Sequence, residues 1–256
     1  MPQAPEWPVA FFDQDYLAIY GPMLTPERTA QEAEFIAKTL DVAPGSALLD
    51  LGCGFGRHAL ELARRGYRMT GLDFNPTYLE VAAREAKRQG LDGARFVEGD
   101  FRALTFDAEF DAGYSYFTSF GYFDDAQNAA VLAGVARALR PQARFLIDLA
   151  HRDWLLTHPQ NRTWNQREDG TLLMEEVSLE LKTSVITSRQ VLIRPEGAQV
   201  HKQFFLRAYT CAEMTWLLGQ AGLVVNGVWG GPDGSELSTE SRRLIVRAER
   251  VAGARG

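Results

Sequence analysis

The 256-residue chain has few cysteines and histidines, and this scarcity excludes several classes of site. Two cysteines, Cys53 and Cys211, are too few for a disulfide framework or a cysteine-rich metal cluster. The four histidines are scattered and lack the HExxH spacing of a zinc enzyme. We therefore expect no metal site.

The chain also lacks an excess of basic charge and any long apolar run. Its formal net charge is −6 and its pI is about 5.3, which gives no basic field for a nucleic-acid backbone. No apolar run is long enough to cross a bilayer, and MPQAPEWPVA shows no signal-peptide pattern. We expect neither a nucleic-acid nor a membrane partner, and a reducing, cytoplasmic location.

The most informative stretch present is ALLDLGCGFGRH, from Ala47 to His58. An apolar run, a turn containing Gly52, Gly54 and Gly56, and the helical pattern HALELARRG follow one another, which predicts strand, tight turn and helix. Alternate glycines let the backbone turn sharply and let a ligand approach where a Cβ would obstruct it. The helix start would favour an anionic group at the same place. We interpret the turn as a nucleotide-cofactor site.

The spacing GxGxG, with Asp50 two residues before the first glycine, resembles motif I of the class I S-adenosylmethionine (SAM) methyltransferases. The dinucleotide fingerprint is instead GxGxxG. The resemblance covers residues 48–150 and implies that Asp50 lies near the cofactor's amino-acid moiety. The next strand ends at Asp73. The dinucleotide-binding and the methyltransferase versions of this fold both place an acid there to bind the ribose hydroxyls. After the third strand, the resemblance implies that Asp100 binds the adenine amine.

A structural turn, helix capping or loop solvation would explain each of these features singly, but three acids at successive strand ends together favour the cofactor site. The residues predicted to bind SAM are Asp50, Gly52, Cys53, Gly54, Asp73, Phe74, Asp100, Phe101 and Tyr116. The predicted cofactor is accordingly SAM.

A second informative stretch, FTSFGYF at residues 117–123, follows the fourth predicted strand at the ligand-binding edge of the sheet. It resembles the FSSIGH-type segment of small-molecule N-methyltransferases, including nucleotide-sugar N,N-dimethyltransferases and, more distantly, glycine N-methyltransferase. Tyr122 falls where some of those enzymes carry a histidine close to the acceptor amine. A tyrosine with a pKa near 10 is a poor base at neutral pH. Tyr122 is therefore expected to orient the acceptor, or else to pack under a lid.

The leading segment FFDQDYLAIYG carries two tyrosines four residues apart, Tyr16 and Tyr20, which share a face on a helix. Either they pack this segment on the sheet, or the segment folds over the cofactor and a tyrosine closes the methyl-transfer site. With Tyr122, they are our catalytic candidates.

Helical and strand patterns alternate up to Ala150, which predicts an α/β fold with a Rossmann-like seven-stranded sheet. The resemblance to the class I methyltransferases implies the order 3-2-1-4-5-7-6 with strand 7 antiparallel, and strand patterns after residue 160 predict an antiparallel β meander inserted after strand 5. The helix beginning near residue 124 is expected to end at Pro141, with strand 5 starting at Ala143. The expected domains are a helical cap (1–45), a SAM-binding core (46–150 and 210–250) and the inserted meander (160–209).

The inserted meander is expected to roof the acceptor pocket or to form a homodimer contact. Arg207 and Tyr209 share strand parity and could project toward the cofactor edge, the alternative being a solvated arginine and a surface tyrosine. His151, just beyond strand 5, is either a base or a bystander. These three are the predicted substrate-binding residues, and Trp164 and Arg167 are further pocket candidates.

These patterns predict a SAM-dependent methyltransferase acting on a small-molecule acceptor by in-line displacement. A nitrogen acceptor is favoured because an amine needs only a neutral lone pair, whereas a hydroxyl needs a base or a metal. Two alternatives remain: a SAM- or SAH-binding protein without activity, and an NAD-type oxidoreductase, which GxGxG and the expected reversed last strand disfavour.

Overall fold

The computed structural model describes residues 11–159 and 162–252. The first ten residues of the expected cap and the start of the expected meander, at 160–161, lie outside this range. The helices are α1 Gln14–Tyr20, α2 Pro26–Leu40, α3 Arg57–Arg64, α4 Pro76–Arg88, α5 Asp125–Ala138, α6 Arg152–Thr157 and α7 Cys211–Gln220. The strands are β1 Ala47–Leu51, β2 Arg68–Asp73, β3 Ala94–Glu98, β4 Phe110–Ser115, β5 Leu139–Ala150, β6 Arg162–Gln166, β7 Leu172–Glu180, β8 Val185–Ile193, β9 Gln199–Arg207, β10 Leu223–Trp229 and β11 Arg243–Arg250.

Side-chain caps set where several helices begin. The Thr25 side chain accepts a hydrogen bond from the Arg28 N–H at the start of α2, and Asn75 does the same for Tyr78 at the start of α4. Thr210 and Glu213 form a reciprocal capping box at the start of α7. Each cap satisfies a backbone donor that has no partner inside its helix.

The larger sheet has seven strands in the order β10-β11-β5-β4-β1-β2-β3. Strands β1 to β5 pair in parallel, and β11 lies antiparallel to both β5 and β10. This arrangement confirms the predicted order, with β10 and β11 as the sixth and seventh strands. Because β1, β2, β3 and β4 run the same way, the segments that follow them meet at one edge of the sheet.

Two hydrophobic clusters cover the two faces of this sheet. Consecutive β1 residues point to opposite sides, so fully buried Leu48 packs with Ile36 of α2 while Leu49 packs with Leu132 of α5. Full burial of each such side chain contributes about 1.5 to 3 kcal/mol relative to exposure. The core therefore lies on both sides of β1 and holds its carboxyl end rigidly.

Strands β6 to β9 form a separate four-stranded antiparallel sheet, the meander. Its inner face packs Ile186 and Leu206 against Tyr122 of the segment after β4. The Arg207 N–H donates to the Gly121 carbonyl at 2.8 Å, and a Cβ on Gly121 would lie 2.6 Å from the Arg207 oxygen. Glycine at this position lets the meander approach the 117–123 segment closely.

Two boundaries differ from the sequence-based expectation. Helix α5 ends at Ala138 rather than Pro141, because β5 already begins at Leu139, which pairs with Phe110 of β4. A register shift then accommodates the proline, which cannot donate to the sheet, and Gln142, whose φ is +66°. The short helix α6 was not expected at all.

The residues that the structure describes contain neither a membrane-spanning helix nor a metal-binding cluster. No helix in the ranges 11–159 and 162–252 is both long and apolar enough to span a membrane. Over those same ranges, no three His, Cys, Asp or Glu side chains group in a way that could hold a metal ion.

Candidate active site

The glycine turn after β1 presents its backbone to open space at one position. Gly52, Gly54 and Gly56 have φ values of +81°, +54° and +77°, in the left-handed region that side chains disfavour. A Cβ on Gly52 would lie 2.7 Å from the Ser119 Cβ, whereas a Cβ on Gly54 would meet no described atom within 4 Å. Gly54 is therefore where a ligand can approach the main chain.

Asp73, at the end of β2, is buried against this turn. Its Oδ2 accepts the Gly54 N–H at 2.8 Å and its Oδ1 accepts the Asn75 N–H at 2.9 Å. Burial raises the pKa of Asp73, and the two backbone hydrogen bonds oppose that rise. The carboxylate thus lies beside the open face of Gly54, as a ribose-binding role requires.

Asp50 is a buried carboxyl group with unused hydrogen-bonding capacity. It is 3% exposed, and its Oδ2 accepts no hydrogen bond from any described residue. Burial raises the pKa of Asp50 to about 7 despite the Tyr114 hydroxyl nearby. A buried acceptor oxygen of this kind is costly unless a ligand supplies a donor.

Arg57, the first residue of α3, has a buried hydrogen-bond donor with no partner in the described parts of the chain, which complements the buried acceptor of Asp50. Its Nη1 donates to Glu32, which also binds the Arg28 Nε at 2.9 Å and the His58 Nε2 at 2.9 Å. Although burial opposes it, the hydrogen bond from His58 and the charge of Arg57 hold the pKa of Glu32 well below its usual range. The Arg57 Nη2 is buried without an acceptor among the described residues.

This cluster retains a positive charge. Burial lowers the pKa of His58 to about 4, so His58 is neutral, and one carboxylate faces two guanidinium groups. An unpaired donor on Arg57 and an unpaired acceptor on Asp50, at either end of one glycine turn, suit the carboxylate and ammonium of an amino acid. The methionine moiety of SAM carries both groups, so these residues fit the cofactor.

Asp100 and Phe101 lie after β3 with different surroundings. Arg102 binds the Asp100 carboxylate, which also accepts the Arg102 N–H at 2.8 Å and so caps the short turn Phe101–Ala103. This pairing lowers the pKa of Asp100. The buried Phe101 ring would lie 3.1 Å from a Cβ on Gly52. The structure brings Phe101 under the glycine turn and gives Asp100 a local partner, and the adenine role of Asp100 stays a prediction.

The other predicted cofactor residues surround the same turn. Cys53 is buried, and burial raises the pKa of its thiol. Phe74 packs edge-on against Phe12, with ring centroids 5.9 Å apart. Tyr116, at the end of β4, packs against the His58 ring at 5.3 Å. A role for Cys53 as a nucleophile is therefore disfavoured by its protonation.

The amino-terminal segment lies over this edge of the sheet. The Asn75 Nδ2 donates to the Phe12 carbonyl at 2.6 Å, and the Tyr78 hydroxyl donates to the Asp13 carbonyl at 2.7 Å. These bonds attach the start of α1 to α4, directly after Asp73. The segment thus lies beside the cofactor edge, and the closing of the methyl-transfer site by one of its tyrosines stays a prediction.

The structure brings the three catalytic candidates together in an aromatic cluster. The rings of Tyr16 and Tyr20 are 4.6 Å apart, and Phe12 bridges Tyr16 and Tyr122 at 5.0 and 5.4 Å. Burial raises the pKa of Tyr122 well above its usual value. Tyr122 is thus a neutral phenol and a poor base at neutral pH. It packs against Ile186 and Leu206 of the meander, and its orienting role stays a prediction.

A buried ion pair that the sequence analysis missed holds the 117–123 segment. Phe117 and Thr118 have φ values of +63° and +61°, which are strained for residues with a Cβ. Asp148 accepts the Phe117 N–H at 2.8 Å and binds Arg243, whose Nη2 also donates to the Thr118 hydroxyl at 2.7 Å. The signal for this contact was one aspartate inside the apolar run ARFLIDLA.

The predicted substrate residues have their polar contacts elsewhere. Arg207 pairs with Asp125 and Glu213, and the buried Tyr209 hydroxyl bonds to Asn128 at 2.9 Å. The His151 Nδ1 lies 2.7 Å from the Ser241 carbonyl oxygen. These contacts join α5, α7 and the loop before β11, and none of them is to the aromatic cluster. A role in substrate binding stays a prediction for all three.

Two further pocket candidates from the meander differ in their surroundings. Trp164 is 70% exposed on β6. Arg167 instead donates to the Ala18 and Ile19 carbonyls and so attaches the end of α1 to the meander. Arg167 is thus a structural contact of the segment that covers the site.

Comparison with known proteins identifies the family. Residues 48–142 match the family described as "Methyltransferase domain". The chain is 32% identical over 215 residues to the cypemycin N-terminal methyltransferase of a Streptomyces species, a match that spans 80% of this chain and 84% of that protein. The chain belongs to the class I SAM-dependent methyltransferases. This methyltransferase uses SAM as its cofactor, and the NAD-type oxidoreductase is excluded.

Solved structures show the same fold for this methyltransferase. CcbJ from Streptomyces caelestis superposes with a TM-score of 0.78 at 18% identity, over 88% of this chain and 90% of that one. SAM-bound CalS10 from Micromonospora echinaspora, an amino pentose methyltransferase, gives 0.68 at 22% identity, over 93% and 98%. At these identities the similarity concerns the fold alone.

Proposed function

We propose that this methyltransferase transfers a methyl group to the nitrogen of a small-molecule amine by in-line displacement. The observation that carries the proposal is the aromatic cluster of Tyr16, Tyr20 and Tyr122 beside the glycine turn, with burial raising the pKa of all three phenols. These three phenols give a hydroxyl acceptor no base of matched pKa. An amine with a free lone pair needs none.

The cofactor supplies an electrophilic methyl group on a positively charged sulfur. Asp50 and Arg57 bind the two charged ends of its amino-acid moiety, and Asp73 accepts hydrogen bonds from the ribose. The tyrosine rings exclude water, and their faces favour a neighbouring cation. Tyr122 orients the amine so that nitrogen and methyl carbon lie about 3 to 3.5 Å apart. The amine's proton leaves to solvent.

The names of two similar proteins support a nitrogen acceptor without establishing it. One is an N-terminal methyltransferase and the other an amino pentose methyltransferase. A free peptide amino terminus and an amino sugar share a basic amine. We therefore propose an amine-bearing acceptor and leave its carbon skeleton open to the screen below.

The test is a measurement of SAH release and of acceptor mass with a panel of matched compounds. Amino sugars, short peptides with free amino termini and simple amines form one arm, and the corresponding hydroxyl compounds form the other. We expect methylation in the amine arm only. Methylation restricted to hydroxyl compounds would contradict the proposal, and SAM binding with no transfer to any compound would favour the non-catalytic alternative.

A further inference from the structure

A row of polar side chains crosses the otherwise apolar inner face of the meander. Glu175 of β7 pairs in register with Gln190 of β8, which pairs in turn with Lys202 of β9. Along β8, buried Gln190 lies on the same face as buried Ile186 and Leu192. Polar groups in such a place are destabilising unless each finds a partner.

Lys202 has an ionic partner, and Glu175 has only neutral ones. Lys202 pairs with Asp13 at the start of α1. Glu175 Oε1 accepts hydrogen bonds from the Ser188 hydroxyl at 2.7 Å and from the Gln190 Nε2 at 2.9 Å. Among residues 11–159 and 162–252, no Lys, Arg or His nitrogen forms an ion pair with Glu175. Both donors to this carboxylate are therefore neutral groups.

The orientation of the Gln190 amide follows from this contact. A carboxylate only accepts hydrogen bonds, so the amide nitrogen must face Glu175. The amide oxygen is left buried, and no described residue donates to it, although Gln190 is only 2% exposed. Neighbouring positions of the row thus hold, within the described part of the chain, a carboxylate with two neutral donors and an amide oxygen with none.

These two acceptors adjoin the proposed transfer site. The Gln190 Nε2 also lies 2.8 Å from the Tyr20 hydroxyl oxygen. The charge of Glu175 contributes to raising the pKa of Tyr20, after burial, which is the larger cause. Phe11 packs between Tyr20 and Phe204 of β9, with ring centroids 6.4 and 5.0 Å away. One wall of the site is therefore acidic and the others are aromatic.

We infer that Glu175 and the Gln190 amide oxygen form an acceptor subsite that binds a positively charged amino group. An ammonium has three donors and one positive charge, which match two acceptors, one of them a carboxylate whose hydrogen-bond donors are neutral. The inference rests on the proposed function and deepens it: the acceptor arrives as an ammonium and loses a proton to solvent, which restores the lone pair that attacks the methyl carbon. A neutral compound of equal shape would leave both buried acceptors unsatisfied and bind more weakly.

The test compares benzylammonium with benzyl alcohol as probes, titrated by calorimetry into the SAH-saturated protein. Glu175→Gln removes the charge, and Glu176→Gln is the matched control, because Glu176 is the next residue on β7, lies on its opposite face and pairs with Arg162. We expect wild type and Glu176→Gln to prefer benzylammonium, and Glu175→Gln to lose roughly tenfold of that preference. Affinity for SAH should not change.

A purely structural role of the row gives different results. If wild type shows no preference, or if Glu175→Gln keeps it with SAH binding intact, the inference is wrong. Should Glu175→Gln fail to fold, Glu175→Asp and Ser188→Ala retain the charge, and both should keep the preference. Loss of the preference in both of these charged variants would contradict the subsite.

A transfer assay on the same proteins separates this inference from the proposed function. Methylation of amines by wild type with no effect of Glu175→Gln on KM would leave the function standing and overturn the subsite. If benzylammonium binding depends on the charge of Glu175 but only hydroxyl compounds are methylated, the subsite stands and the proposed function is wrong. If both hold, Glu175→Gln raises the amine KM far more than it lowers kcat.

Discussion

At the scale of single residues, Asp50 makes cofactor binding depend on pH. Its raised pKa, about 7, means that the free protein carries this carboxyl partly protonated at neutrality. An ammonium ligand requires the ionised form, so binding releases a proton. SAM affinity should rise about fivefold from about pH 6 to about pH 7, and calorimetry in buffers of different ionisation enthalpy should detect the proton.

The same residue should lower the stability of the free protein. A folded-state pKa above the unfolded value means that the folded protein binds the proton more tightly. The contribution of Asp50 to stability therefore falls as the pH rises from the unfolded-state pKa of 3.8 to the folded-state pKa of about 7. Asp50→Asn should therefore raise the Tm of the free protein at about pH 8 more than at about pH 6. A variant with lower stability at both values would contradict this account.

Asp73 should contribute directly to the affinity for SAM. Asp73→Ala removes an acceptor beside Gly54 and should weaken SAM binding by about 1 to 3 kcal/mol, the range for a lost hydrogen bond to a charged group. Asp107→Ala, at an exposed position, is the control. Calorimetric titration measures both, and unchanged affinity in Asp73→Ala would remove the ribose assignment.

At the scale of elements, the Asp148–Arg243 pair holds the strained backbone at Phe117 and Thr118. Asp148 is 3% exposed on its side chain and Arg243 is 27% exposed. Asp148→Ala should lower the free energy of unfolding by about 3 kcal/mol. The Arg243 guanidinium would lose its carboxylate partner, and water reaches only part of it. Asp148→Asn retains an acceptor for the Phe117 N–H and should lose less. Urea unfolding of the two variants measures the difference, and equal losses would contradict the positioning role.

Helix α1 depends on the meander for its position. Arg167 donates to two carbonyls at the carboxyl end of α1, including Ile19 at 2.7 Å. Arg167→Ala should open this contact and raise hydrogen exchange in residues 11–20, with an increase in acceptor KM and little change in SAM affinity. Arg162→Ala, on exposed β6, should leave exchange in that segment unchanged. Equal exchange in both variants would show that other contacts hold α1.

At the scale of the whole molecule, local patterns predicted the sheet because each strand, turn and cap depends on neighbouring residues. GxGxG and Asp73 predict the cofactor edge, and Thr25, Asn75 and Thr210 mark helix starts. The Glu175–Gln190 row depends instead on the register of strands paired across turns, and Arg243 reaches Asp148 from a distant strand. Patterns within one segment of the sequence cannot predict contacts between distant segments.

The same limit explains the two misjudged boundaries and the unforeseen ion pairs of Arg207. The end of α5 is set by pairing of Leu139 with Phe110, not by the helical pattern. The contacts of Arg207 with Asp125 and Glu213 depend on how the meander lies against α5 and α7. In both cases tertiary contacts outweigh the local pattern.

The measurement that tests the central claim most directly uses SAM labelled with carbon-13 in its methyl group. After turnover with the amine and hydroxyl panels, carbon NMR separates a methyl group on nitrogen from one on oxygen. Our account predicts a labelled N-methyl product that forms only with enzyme and an amine present. A labelled O-methyl product from hydroxyl compounds, with none from amines, would contradict it.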